Sequence, residues 1–176
     1  RKKLVNFSQS LGMIEYSRIL NKYMNSIFKQ QEIEDTLGEV IAQRGLSQLR
    51  IAETEKYAHV TYFFNGTKEE NLTGEDRVLI PSPRVKTYDL CPEMSCFEVT
   101  SKIIENLNKK SYNFILSNYA NTDMVGHTGS IEATVKAVEA VDFCIERIYR
   151  ASKENGYTLV LTSDHGNADL MYNFEL

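Results

Sequence analysis

The stretch "SCFEVTSKIIENLNKKSYNFILSNYAN", residues 95–121, changes its hydrophobic period halfway along. Ser95 and Glu98 stand in capping-box spacing, and Val99, Ile103, Ile104 and Leu107 then recur on one helical face, which predicts a helix. "YNFILSNYAN" (112–121) is rich in strand formers and bounded by asparagines, which predicts a short strand. The pattern repeats downstream. "SIEATVKAVEAVDFCIERIYRASKENG" (130–156) carries Ile131, Val135, Val138, Val141 and Ile145 at intervals that mark a long helix. "YTLVLTSDHGN" (157–167) reads as a buried strand running into a polar loop. Helix, strand, helix, strand implies right-handed crossovers and an α/β fold: a mostly parallel sheet flanked by helices.

Upstream, "EIEDTLGEVIAQR" (32–44) places Ile33, Leu37, Val40 and Ile41 at helical intervals, with Gly45 positioned as a C-cap. "QLRIAE" (48–53) alternates as a strand does, and "RVLIPSP" (77–83) is an extended run closed by prolines. The polar "NGTKEENLTGED" between them is turn material.

Composition narrows the function classes. The 176 residues suit one domain, or one domain with part of another. Twenty Lys and Arg against 24 Asp and Glu give a net charge of -4, so no basic surplus points to nucleic acid. No apolar run is long enough to span a bilayer, and the opening "RKK" is not followed by the apolar core of a signal peptide, so a soluble, cytoplasmic protein is expected. Cys91, Cys96 and Cys144 are odd in number and lack CxxC spacing, which predicts ordinary reduced thiols. The chain starts at Arg1 and ends in "MYNFEL", without an initiator methionine or an evident helix stop, so both ends are expected to be cuts through a longer chain.

Two loops carry the chemistry. In open α/β sheets, ligands collect outside the carboxyl ends of strands, and both "NTDMVGH" (121–127) and "SDHGN" (163–167) begin where a predicted strand ends. Asp123 and His127 are four apart, a spacing that one helical turn brings to one face, and carboxylate with imidazole suits manganese, zinc or iron. Taken alone, the same pair reads first as a capping aspartate and a histidine bonded to backbone. Asp164 and His165 repeat the combination before Gly166, where a tight turn allows both to reach one cation or two neighbouring ones. Two such clusters, using two of the three histidines, argue for a metal site, and two close divalent ions would point to phosphoryl chemistry. By spacing alone Lys56 reads as a solvated lysine balanced by Glu53 or Glu55, and His59, among apolar neighbours, as a satisfied structural histidine. Arg84 and Lys86 are anion contacts or a solvated loop.

"QLRIAETEKYAHVTYFFNG", "GEDRVLIPSPRVKTYDLCPEMS", "NYANTDMVGHTG", "IEATVKAVEAVD" and "TSDHGNAD" occur in one order and together resemble the cofactor-independent, that is 2,3-bisphosphoglycerate-independent, phosphoglycerate mutases of the metal-dependent alkaline phosphatase superfamily. The resemblance covers about residues 36–171. It implies an alkaline phosphatase-like fold, incomplete here, with residues 1–30 as the end of a phosphotransferase domain and linker and 31–176 as the major part of the metal-binding phosphatase domain. It implies interconversion of 2- and 3-phosphoglycerate through a phosphoserine, two manganese ions, no 2,3-bisphosphoglycerate, no nucleic-acid or membrane partner, and a monomer when complete. Asp123 and His127 correspond to the ligands of one ion, Asp164 and His165 to those of the other, and Lys56 to a phosphate contact, which reverses the reading from spacing. Arg84 where lysine is frequent, Cys91, and Ser163 where alanine is usual are mild departures. By the resemblance, the serine nucleophile, an aspartate ligand and substrate arginines precede residue 1, and a further histidine ligand follows residue 176, so this stretch alone is expected to lack mutase activity. Another alkaline phosphatase relative, a phosphomutase or phosphohydrolase, is the alternative enzyme; a non-catalytic module binding metal or a partner is the alternative of a different class.

Overall fold

A computed structural model describes residues 7–15, 19–29 and 33–172. The opening "RKK", the expected domain boundary at 30/31, the first residue of the helix expected over 32–44, and the last four residues of "MYNFEL" lie outside them. The chain divides into two units, Arg1–Glu34 and Asp35–Leu176. In the first, strands β1 (Leu11–Gly12) and β2 (Asn25–Ser26) pair in parallel around a 3-10 turn at Leu20–Lys22.

In the second unit, helix α1 spans Leu37–Gln43, shorter than the periodicity predicted. Its start is fixed by Thr36, whose side chain accepts from the Glu39 backbone N–H at 3.3 Å while the Thr36 N–H donates to Glu39 Oε2 at 2.9 Å. This reciprocal box satisfies two otherwise orphaned donors and sets the boundary after Ile33, which is left 53% exposed. Strand β3 (Gln48–Glu53) leads directly into helix α2 (Thr54–Val60), and β4 (Glu75–Ile80) follows the turn region. Helix α3 (Cys96–Lys109), strand β5 (Phe114–Asn118), the short helix α4 (Asn121–Gly126) and the long helix α5 (Ile131–Asn155) complete the described elements.

The sheet order is β4-β3-β5 and every pairing is parallel, as the crossover argument requires. Both faces of the central β3 are covered, so all six of its residues are buried. Leu49 and Ile51 join Ile80, Val99, Ile103, Leu107, Ile148 and Ala151 in the principal core, beneath α3 and α5. Each such side chain contributes about 1.5–3 kcal/mol by leaving water. The opposite face buries polar groups. Gln48 Nε2 donates to the Gly38 carbonyl at 3.0 Å, Arg50 Nη2 donates to Gln48 Oε1 at 2.6 Å, and the guanidinium lies 4.6 Å from the Phe64 ring centre and 5.4 Å from that of Phe114. Burial lowers the Arg50 pKa to about 10. A side chain at Gly38 would bring a Cβ within 2.6 Å of Arg50 Nη2, so this arrangement needs glycine there.

Three expectations are corrected. Ser95 precedes α3 but makes no side-chain cap bond; its hydroxyl donates instead to the Pro81 carbonyl at 2.7 Å, tying the helix start to the end of β4. Helix α5 forms as its period predicts, yet Ile131, Val135 and Val138 are about half exposed, while the buried stripe is Ala133, Ala137, Cys144, Ile148 and Ala151. Small residues let α3 and α4 approach closely, so packing selects that face. Residues 157–163, expected as a strand, join no sheet, with Val160 81% and Leu161 66% exposed. Side chains tether this segment at both ends: Tyr157 Oη donates to the Tyr112 carbonyl at 2.6 Å, and Asn118 Nδ2 to Asp164 Oδ2 at 3.2 Å. Cys91, Cys96 and Cys144 are free thiols, the last two fully buried. Among the described residues no helix is long and apolar enough to cross a membrane.

Candidate metal centre

Parallel pairing aligns the carboxyl ends of the strands: Glu53 of β3 is level with Ile80 of β4, and Ala52 with Asn118 of β5. The turn out of β3 becomes α2 and carries Lys56 inward, 5% exposed. The turn out of β5 becomes α4, which carries Asp123 in its first turn and ends at His127. The segment after α5 delivers Asp164, His165 and Asn167 to the same edge. Between them lies a cleft of about 230 Å3 whose walls include Lys56, Asn118, Asp123, Asp164, His165 and Asn167.

Asp123 is the hub. Its Oδ2 accepts from Lys56 Nζ at 2.5 Å and has His165 Nε2 at 3.8 Å; its Oδ1 lies 3.1 Å from His127 Nε2 and accepts from Asn167 Nδ2 at 2.8 Å. Burial pushes the Asp123 carboxyl up, but hydrogen bonds from Lys56 and Asn167 and the Lys56 charge outweigh it and hold the group below its ordinary 3.8. Lys56 pairs with neither of the glutamates nearest it in sequence. Glu53 is buried and accepts from Ser82 Oγ at 2.8 Å and from the Ser95 N–H at 3.3 Å, while Glu55 accepts from Tyr88 Oη at 2.6 Å.

All four residues expected to hold metal therefore reach one edge of the sheet, with unequal support. The Asp123 carboxylate is 15% exposed, Asp164 48%, His165 47% and His127 66%, so His127 stands at the rim rather than in the wall. Two neighbouring ligands of one tetrahedral ion sit roughly 3.4 Å apart given metal–donor bonds of about 2.0–2.2 Å. The 3.1 Å between Asp123 Oδ1 and His127 Nε2 fits that spacing, whereas Asp164 Oδ1 and His165 Nε2 are 3.9 Å apart. Among the described residues no three His, Cys, Asp or Glu converge as ligands of one ion.

His59 differs from expectation: its Nδ1 is buried without a hydrogen-bond partner, and burial together with the Lys56 charge holds its pKa below the ordinary value. Arg84 and Lys86 lie on the exposed loop after β4. Sequence reasoning missed Asn118 and Asn167, both bonded to candidate ligand carboxylates. Asparagine is common in turns, so nothing in the sequence marks these two as site residues.

The chain is similar to proteins named 2,3-bisphosphoglycerate-independent phosphoglycerate mutase. It is 52% identical over 94% of its length to that of Anaplasma marginale (strain St. Maries), 53% over 96% to that of Anaplasma phagocytophilum (strain HZ), and 50% over 98% to that of Legionella pneumophila (strain Lens). It spans about a third of the length of these relatives: 33%, 34% and 33% respectively. A crystal structure of Leishmania mexicana phosphoglycerate mutase at low cobalt concentration superposes with a TM-score of 0.82 at 34% identity, over 90% of this chain and 29% of that one. The model of the Metalloenzyme superfamily matches from residue 13 to residue 173, a span that takes in both Asp and His pairs, so this chain belongs to that superfamily.

Proposed function

We propose that the chain is part of a metal-dependent phosphoglycerate mutase that interconverts 2- and 3-phosphoglycerate through a phosphoserine. The observation that carries this reading is the Asp123 hub: one carboxylate at the strand ends contacts Lys56 and His127 and has His165 at 3.8 Å, in a chain half identical to proteins bearing that name. In this proposal Asp123 and His127 hold one divalent ion and Asp164 and His165 the other, both manganese, and no 2,3-bisphosphoglycerate is needed. Bound ions supply Lewis acidity, stabilising charge on phosphoryl oxygens and lowering the pKa of an attacking hydroxyl.

The chain's own groups do the rest of the work assigned to it. Lys56 spends one N–H on Asp123 and offers its others to a phosphate oxygen in the cleft, as a point charge shielded from water. Asp123 stays ionised because Lys56 and Asn167 stabilise the charged form. Glu53 and Glu55 are engaged by Ser82 and Tyr88, which leaves Asp123 as the acceptor for Lys56. Residues 1–30 belong in this reading to the substrate-orienting domain and 31–176 to the phosphatase domain of a cytoplasmic monomer whose serine nucleophile lies elsewhere in the polypeptide.

A coupled assay for 2-phosphoglycerate formation, run on the complete polypeptide, tests the proposal. Asp123→Ala and His165→Ala are each expected to abolish turnover while leaving the circular dichroism spectrum intact. Turnover near that of the unaltered protein in either variant overturns the site assignment.

A further inference from the structure

Two amides join the metal-bearing loops crosswise. Asn167, in the loop that carries Asp164, donates to Asp123 Oδ1 at 2.8 Å and to the Asp123 carbonyl at 3.0 Å. Asn118, at the end of the strand that leads to Asp123, donates to Asp164 Oδ2 at 3.2 Å. Each candidate ligand carboxylate is thus gripped by an amide from the other loop. Both acceptors of Asn167 are oxygens that cannot donate, so its Nδ2, with two N–H groups, must be the atom facing them. Helix α4 makes room for the contact at Gly126, where an added Cβ would stand 3.3 Å from Asn167 Nδ2.

The consequence for a carboxylate is directional. Asn167 occupies one lone-pair direction on Oδ1, which fixes the carboxylate's rotation and leaves the rest of Oδ1 beside His127 and Oδ2 toward Lys56 and His165. We infer that Asn118 and Asn167 are positioning residues for the divalent ions, a reciprocal brace in which each loop orients the other loop's ligand. The inference rests on the metal-centre reading above. Groups that orient ligands in this way are typically worth about 10- to 100-fold in metal affinity. The shorter, less exposed bond of Asn167 puts it at the upper end and Asn118 at the lower.

The test is a Co2+ titration of the complete polypeptide, read by calorimetry and by the visible absorption of bound Co2+, with Asn167→Leu, Asn167→Ser and Asn118→Leu. Leucine keeps the volume and removes the donor; serine keeps a donor. Asn167→Leu is expected to weaken binding by about 10- to 100-fold and to change the band shape, and Asn167→Ser to recover part of both. With Asp164→Ala as background, the Asn167→Leu loss should persist and the Asn118→Leu loss should vanish, since its acceptor is gone. Affinity within twofold of the unaltered chain for Asn167→Leu overturns the inference and leaves the metal reading standing. So does a loss that tracks a fall in metal-free Tm and ignores the background. No Co2+ binding by the unaltered complete polypeptide overturns the metal reading, and the brace with it.

Discussion

The two Asp and His pairs are chemically alike and physically unlike. Asp123 sits on a helix, 15% exposed, with both carboxylate oxygens bonded, and its position is set by β5 and the packed helix α5. Asp164 sits at the end of a segment that joins no sheet, 48% exposed, and its link to the sheet is the single amide of Asn118. A donor set alone therefore does not make a preorganised site. The difference lies in what stands behind each carboxylate: a hydrogen-bonded helix in one case, a segment with exposed Val160 and Leu161 in the other.

The comparison is broken or sharpened most forcefully at the foundation both pairs share. Leu49→Ala, in the fully buried central strand, is expected to cost about 2–5 kcal/mol in urea denaturation, because the site cannot collapse around the lost methyls. A cost below 1 kcal/mol would mean that β3 is not the rigid element that aligns the loops. Next comes a direct contrast of the pairs without metal. Asp123→Ala is expected to lose about 1–3 kcal/mol, leaving Lys56 without its acceptor, whereas Asp164→Ala should stay within about 0.5 kcal/mol. Equal losses would erase the distinction.

Acid titration sharpens it further. The folded pKa of Asp123 is depressed, so its contribution to stability is fully present above the unfolded value and is lost as pH falls through the folded one. The stability difference between the unaltered chain and Asp123→Asn should therefore be constant from neutrality to about pH 5 and shrink below the ordinary carboxylate value of 3.8. A difference that grows toward acid would reverse the sign of the argument. The smallest effect belongs to the unpaired segment at 157–163. Val160→Ser should change stability by less than about 0.5 kcal/mol, and amides 158–162 should exchange with solvent long before those of Leu49 and Ile51. Protection equal to that of β3 would show the segment paired.

Much of this fold could be read from the chain, for local reasons. Val99, Ile103 and Leu107 mark the buried face of α3 because a three- and four-residue period has one structural solution, and "YNFILSNYAN" is short, β-rich and bounded. The readings that failed are those in which distant residues compete for the same group. Ser95 had a capping partner three residues away and bonded to Pro81 instead; Lys56 had two adjacent glutamates and chose Asp123. The branched residues of α5 define its period but not its buried side, because the alanine and cysteine stripe allows closer helix contact. At the site, the donors were visible as residue types. The asparagines that orient them were not, since their role depends on acceptors 44 and 46 positions away.

The sequence by itself determined helices α3 and α5, strands β3 and β5, the parallel crossovers that follow from their order, and the arrival of one Asp and His pair at a strand end. These are consequences of propensity and period over about ten residues. The tertiary structure alone decided that the carboxylate beside His127 would also gather Lys56, lie near His165 and be gripped by Asn167, and that its counterpart would hang from an unpaired segment. Lys56 and Asp123 are 67 positions apart, and contacts at that range are set by the register of parallel strands and the packing of helices over them, which no local pattern encodes.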